Sequence, residues 1–401
     1  MLDHTGNIAP DDFVPNAEYQ ASRKQRVSLG KSVDRRRTVA NLFFLVFLAV
    51  VIAWIGWHRG RASAGLFAIH GSSMAPTLLG EHHVVGCVAC GLDWPVTMSG
   101  DESPIYCFHC GKQVQVSERI HAASRVILNE KLAVTTDVLR PGDVVALRGE
   151  SMLRVKRIAA VPGDTIELDG AYLIVNGKSV VQRMGREQQL TLPLPILPFE
   201  LDHRRSQSRW SGKGWRRSHQ RIWESSDASW LVYHHRSIHQ QNQSSVVWDD
   251  YPCNVDVDRK LQPANRFVLT AEVACQGEAL LEVAFWLNQQ PCAVVQRVTV
   301  ESNLVVSSDD ATVMSLGPVA GEYPVAIRVL EGSVHLSRLV VARQIEYRLR
   351  PQDDRTLYPI QLGRGEYFVL GDNVPVSVDS RDFGVISSDS IKGSVELFQS
   401  P

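Results

Sequence analysis

Apolar residues are spread unevenly along this chain, and the unevenness divides it. From Thr38 to Trp57 the sequence reads "TVANLFFLVFLAVVIAWIGW", without a single charge. About 20 such residues match a hydrocarbon core of about 30 Å, so the run predicts one membrane-spanning helix. A buried core helix is the competing reading, and such a helix rarely stays uncharged for this length. Beyond the run the period falls to two. "RVILNEKLAV", "GDVVALRG" and "RVKRIAAVPGD" predict short strands separated by turn residues. Pro162-Gly163 fits the centre of a type II turn, and Asn176-Gly177 is a hairpin signal. No strand alternates with a helix-length amphipathic segment, which argues against a parallel α/β sheet.

From about Gly185 the style changes. The stretch 200–250 holds Trp210, Trp215, Trp223, Trp230 and Trp248, with His203, His219, His234, His235 and His239. Strand candidates follow: "RFVLTAEVAC", "ALLEVAFWLN", "CAVVQRVTVES", "ATVMSLG", "YPVAIRVLEG" and "VHLSRLVVAR". Turn residues separate them at about 8–12-residue spacing, which predicts a β-sandwich-like unit. Near Arg350 this ends, and "GEYFVLGDN" resumes the earlier style. The body therefore reads as one β domain interrupted by a large β-rich insert.

Charge adds orientation. Arg23, Lys24, Arg26, Lys31, Arg35, Arg36 and Arg37 precede the apolar run, and only Arg59 and Arg61 follow nearby. The positive-inside rule then puts the N-terminus in the cytoplasm and the body outside. A cleaved signal peptide has an apolar core of about 7–15 residues, shorter than this one. The first 37 residues are polar and read as a disordered tail. Over all 401 residues the net charge is −1, so no global field points to nucleic acid.

Cysteine spacing supplies the first candidate chemistry. "CVACG" and "CFHCG" place Cys87, Cys90, Cys107 and Cys110 in the order C-x2-C-x16-C-x2-C. This is the spacing of a structural zinc ribbon, in which four thiolates close a tetrahedral site. Disulfides and redox-active pairs remain open for a segment outside the cytoplasm, as does ligation by His109, His82 or His83. Cys253, Cys275 and Cys292 are an odd number in the insert, with no pairing readable. The Trp- and His-rich start of the insert is open to carbohydrate or lipid headgroups, against the simpler reading of core and solvated loops.

"AIHGSSMAPTLLG" raises the question of a nucleophile. A serine hydroxyl attacks only when a base takes its proton. A G-x-S-x-G elbow fails at Ala75, and an S-x-x-K dyad fails because Pro76 follows Ser73 by three. A histidine base is open, and so is a distant lysine. Lys156 sits mid-strand between Val155 and Arg157, and neighbours on a strand point to opposite faces. Burial could lower its amine toward the range useful for a base; an edge-strand lysine in water is the alternative.

Four segments in order decide between these readings. "SSMAPTL" (72–78), "PGDVVAL" (141–147), "KRIAAVPGD" (156–164) and "GDNVPVSVDSRDFGVI" (371–386) resemble the boxes of bacterial type I signal peptidases, membrane-anchored Ser/Lys proteases. The resemblance implies Ser73 as nucleophile, Lys156 as general base and Ser377 as the group orienting the lysine amine. By the same pattern Asp372 pairs with Arg157, and Asp379 with Arg381. Many members carry a serine two positions before the nucleophile that helps bind the oxyanion; here that position is Gly71, which leaves the backbone N–H of Ser73 in that role. "VPV" departs from the charged run that usually follows "GDN".

The expectation is a mainly β protein: a signal-peptidase-like antiparallel catalytic domain with one N-terminal transmembrane helix. Its parts are a cytoplasmic tail (1–37), an anchor (38–57), the first catalytic part (64–185) with the zinc ribbon (85–113), the β-sandwich-like insert (186–350) and the second catalytic part (351–401). It would sit single-pass in the bacterial cytoplasmic membrane, in contact with membrane lipid, cleave signal peptides from secretory precursors, hold structural zinc and use no cofactor in catalysis. An inactive scaffold displaying the insert, and a protease dedicated to one partner, are the alternatives.

Overall fold

The computed structural model describes residues 46–51, 66–97, 104–129, 139–149, 153–186, 189–195, 208–218, 222–241 and 243–398. The chain divides into two units, Met1–Ala64 and Gly65–Pro401. In the first, residues 46–51 are helical; the rest of the predicted 38–57 span lies outside the described residues. Among the described residues no helix is long and apolar enough to cross a membrane.

The second unit is mainly β, with five sheets among the described residues. The one that carries the candidate site has seven strands, in the order Leu66–Ala68, Arg125–Asn129, Ile391–Leu397, Val144–Leu147, Arg154–Ala160, Glu366–Leu370, Ile386–Ser387. All its pairs are antiparallel. The last strands of the chain are thus woven among the early ones: Ser394 pairs with both Asn129 and Val145, and Val369 pairs with Ile158. Segments before and after the insert form one sheet, and this brings "KRIAA" beside "GDN".

Local sequence accounts for the smaller four-stranded sheet. Thr165–Asp169 and Tyr172–Val175 form a hairpin, and Val175 pairs with Lys178 across Asn176-Gly177. Both turn residues have positive φ, 50° and 75°, as a type I′ turn requires. Ile360–Gln361 closes this sheet by pairing with Thr165–Ile166.

The strands from Thr191 to Gln344 build a ten-stranded sheet. Its spine is a hairpin of two long strands, Phe267–Leu287 and Gln290–Ser307. The first half of Phe267–Leu287 pairs with Val334–Gln344, and the second half with Val325–Glu331. Where a sandwich reading expects two separate sheets, hydrogen bonding here is continuous, because the long hairpin runs through both halves. Phe267, Leu269 and Val273 of one half share a core with Leu281, Val283 and Phe285 of the other. Trp210, Trp215 and Trp223 are buried in the same core, so these three aromatics of the insert's start are committed to packing.

Candidate active site

Ser73 lies in a turn, 71–78, that leaves the first strand. Gly71 starts the turn at φ 73°, a left-handed conformation that glycine adopts without strain. A Cβ there would meet nothing within 4 Å, so backbone conformation, not space, favours glycine over the serine of many relatives. Met74, next to Ser73, is 1 % exposed and packs with Ile69, Leu78, Val126, Leu128, Ala146 and Val395. Met74 thereby anchors the turn while Ser73 stays partly exposed.

Lys156, on the strand Arg154–Ala160, reaches Ser73 across the sheet. Its Nζ donates to Ser73 Oγ at 2.9 Å. The side chain is buried. Burial pushes the amine down to about 8, an effect that Asp379 and Asp372 oppose and Arg154 and Arg381 assist. At that value about one lysine in ten is neutral at pH 7, against fewer than one in a thousand for an ordinary amine.

Arg157 turns to the other face. Its Nε and Nη2 hold Asp372 Oδ1 and Oδ2 at 2.8 and 2.6 Å, and Nη1 donates to Gly142 O at 2.8 Å. Burial works against the guanidinium charge, and Asp372 more than restores it. Tyr347 Oη also donates to Asp372 Oδ1, at 2.8 Å. Asp379 grips Arg381 in the same two-pronged way, at 2.9 and 2.8 Å, and accepts the Gly371 amide at 3.0 Å. Burial raises the Asp379 carboxyl, and Arg381 overcomes this and leaves it lowered. Both pairs are nearly sealed from water, so their hydrogen bonds lie in a medium where they fix geometry firmly.

Ser377 is also fully buried. Its Oγ makes no hydrogen bond to Lys156. It lies against Gly371, where an added Cβ would collide with Ser377 Oγ and with Ser73 O. Arg350 Nη1 holds the Ser377 carbonyl at 2.9 Å. The "VPV" departure is accommodated locally: Val374 is buried, and its carbonyl accepts from Arg381 Nη2 at 2.9 Å.

Ser73 and Lys156 both line a cleft of about 440 Å³. Phe67, Ile69, Val126, Leu128, Leu153 and Val155 make its walls mostly apolar, with His70 and Arg154 as further polar groups. A mostly apolar cleft with a few polar groups is the usual form of a binding site.

Several site residues carried no signal, or an unread one. Asn373, inside "GDN", donates its amide to Ser73 O and its Nδ2 to Ser72 O, both at 3.0 Å. The "GDN" motif could have identified it. Tyr347 and Arg350 lie just ahead of the last box. Tyr251 and Asn254 belong to the insert and touch the site only because the chain folds back, so no local pattern marks them.

The cysteines form a separate centre. Cys87, Cys90, Cys107 and Cys110 are all free, and their sulfurs lie within 4.8 Å of one another. Cys87–Cys110 and Cys90–Cys107 are 3.4 and 3.7 Å apart. Four thiolates at about 2.3 Å from one zinc ion stand about 3.8 Å apart, whereas a disulfide needs about 2.05 Å. The backbone amides of Cys90 and Ala89 point at the Cys87 sulfur. Gly91 and Gly111, at φ 71° and 73°, close each knuckle by donating their amides to Cys87 O and Cys107 O at 2.7 Å. The donor set fits a metal ion, and His82, His83 and His109 are not part of the cluster. Cys253, Cys275 and Cys292 are free thiols.

Comparison with known proteins follows the same segments. The family described as "Signal peptidase, peptidase S26" matches residues 36–220 and 331–399, well over half of the chain. "Signal peptidase I S" of Bacillus subtilis (strain 168) is 39% identical over 61 residues, 15% of this chain and 33% of that protein. "Signal peptidase I" of Bacillus amyloliquefaciens is 38% identical over 61 residues, 15% of this chain and 32% of that protein. The matched stretch spans about a third of each relative's length. With two clusters of matched boxes converging on one serine and one lysine across a shared sheet, this chain belongs to the signal peptidase family, peptidase S26.

Proposed function

We propose that this chain is a serine endopeptidase that removes signal peptides from secretory precursors with a Ser73/Lys156 dyad. The observation that carries the reading is the 2.9 Å contact between Lys156 Nζ and Ser73 Oγ in the wall of a mostly apolar cleft. Neutral Lys156 takes the proton of Ser73 as Oγ attacks the carbonyl at the cleavage site. The oxyanion is met by the backbone N–H of Ser73. Lys156, now an ammonium, gives its proton to the leaving amine. Water then attacks the acyl carbon as Lys156 takes its proton, the bond to Ser73 Oγ breaks, and Lys156 returns the proton to Oγ, which frees the carboxyl product and restores the dyad. Arg157–Asp372 and Arg381–Asp379 hold the lysine strand and the "GDN" loop in register. Ser377, buried against Gly371, is the group proposed to orient the lysine amine.

The remaining parts serve this reaction. Residues 38–57 anchor the chain in the bacterial cytoplasmic membrane, with residues 1–37 inside and the peptidase body outside, where precursors emerge. The cysteine cluster holds zinc as a structural ion, which would supply cross-linking of the ribbon and no step of catalysis. The ribbon and the 186–350 insert are additions to the peptidase.

A peptide series tests the reading. Peptides with small residues one and three positions before the scissile bond should be cleaved at one site, by the A-x-A rule of signal peptides. Replacing either residue by a large one should lower kcat/KM by about a hundredfold or more. Equal cleavage of both sets would reject the proposed substrate class.

A further inference from the structure

The insert sends one short segment into the active-site framework. Its residues Tyr251–Asn254 lie between the cysteine ribbon and the "GDN" loop. Tyr251 Oη donates to Asp372 O at 3.0 Å. Asn254 and Asn373 exchange side-chain hydrogen bonds, each Nδ2 donating to the other's Oδ1 at 2.8 Å. Asn373 passes this on: its Nδ2 and amide hold the carbonyls of Ser72 and Ser73. The orientation of the Asn373 side-chain amide is set by Ser72 O, an acceptor that Nδ2 can donate to and Oδ1 cannot. Its Oδ1 then has Asn254 as its donor.

The other side of the segment is held by the ribbon. Thr97 directly follows the ribbon strand Leu92–Val96. Its amide and its Oγ1 both donate to Cys253 O at 2.9 Å, and it forms a parallel bridge with Asn254. Val255 packs against the core that contains Cys87, Cys107 and Cys110. Tyr251 and Cys253 are buried with Ala75, Leu370 and Val374 in a common core.

From this path we infer that Asn254 is a positioning residue for the nucleophile, acting through Asn373 on the Ser72–Ser73 backbone, and that the ribbon clamps it through Thr97. The inference rests on Ser73 being the nucleophile for its kinetic consequence, but not for its structural one. A backbone shift of about 1 Å at an attacking atom costs about a hundredfold in rate, so a loop that removes such freedom acts on kcat rather than on ground-state binding.

The test compares the full chain with Asn254→Ala and Thr97→Ala by two readouts. Hydrogen exchange of the 71–79 segment should quicken by about threefold or more in both variants, with exchange in Thr165–Asp169 unchanged. Peptide cleavage should lose about tenfold in kcat with KM within about twofold. Unaltered exchange at 71–79 in a folded Asn254→Ala protein overturns the inference. So does faster exchange throughout the chain, or a loss carried by KM. If Asn254→Ala does not fold, Thr97→Ala decides by the same readouts. If the unsubstituted protein cleaves nothing, the proposed peptidase function fails, while the exchange comparison still decides the role of Asn254.

Discussion

At the scale of single residues, the proposed chemistry depends on a buried amine. Lys156 is pushed down to about 8 chiefly by burial. A general base must be unprotonated, so below that value most of the enzyme is idle. The rate should therefore climb about tenfold per unit as pH rises toward 8 and level off above it, which a kcat/KM profile with one peptide would measure. A flat profile from pH 6 to 9 would remove the lysine from the reaction. In the sequence Ser73 and Lys156 stand out only as a combination, since "SSM" alone reads as a turn and "VKR" alone as an edge strand; the structure brings the two side chains together at 2.9 Å. Asn254 was not legible at all. It is 119 positions from Asn373, and its role exists only through a fold that no local pattern encodes.

At the scale of elements, the two-pronged bond between Arg157 on its strand and Asp372 in the "GDN" loop joins segments 215 positions apart. Both partners are almost fully buried. Asp372→Ala would leave a buried guanidinium without its counter-charge, at a cost of about 3–5 kcal/mol. Denaturant unfolding should show this as a lower midpoint, and a loss below about 1 kcal/mol would contradict the assigned geometry. Turn chemistry was the most readable feature at this scale, because Asn176-Gly177 demands positive φ twice. The long insert strand was misread for a related reason. "RFVLTAEVAC" and "ALLEVAFWLN" look like two strands around Gln276-Gly277, yet they form the single strand Phe267–Leu287. Gly277, at φ 84°, serves a bulge between Ala274 and Glu278 instead of a turn.

At the scale of the whole molecule, one sheet closes the peptidase body from both ends of the sequence, with an insert and a cysteine ribbon built onto it. The mainly β architecture was readable from strand length and turn spacing. The continuity of the insert's sheet was not, because pairing partners lie far apart in sequence. The ribbon's four free sulfurs predict about one zinc ion per chain, measurable by elemental analysis. Cys87→Ser with Cys110→Ser should abolish it and lower the melting temperature, whereas a metal-free native protein with four titratable thiols would contradict the site. The central claim is that Ser73 and Lys156 act as one unit. Its most direct test is cleavage of a signal-peptide substrate by Ser73→Ala, Lys156→Ala and the double variant, each shown to be folded. The account predicts that each single substitution removes cleavage to background and that the double is no worse, as for groups serving one step. Cleavage surviving in either single variant at more than about a hundredth of the original rate would contradict it.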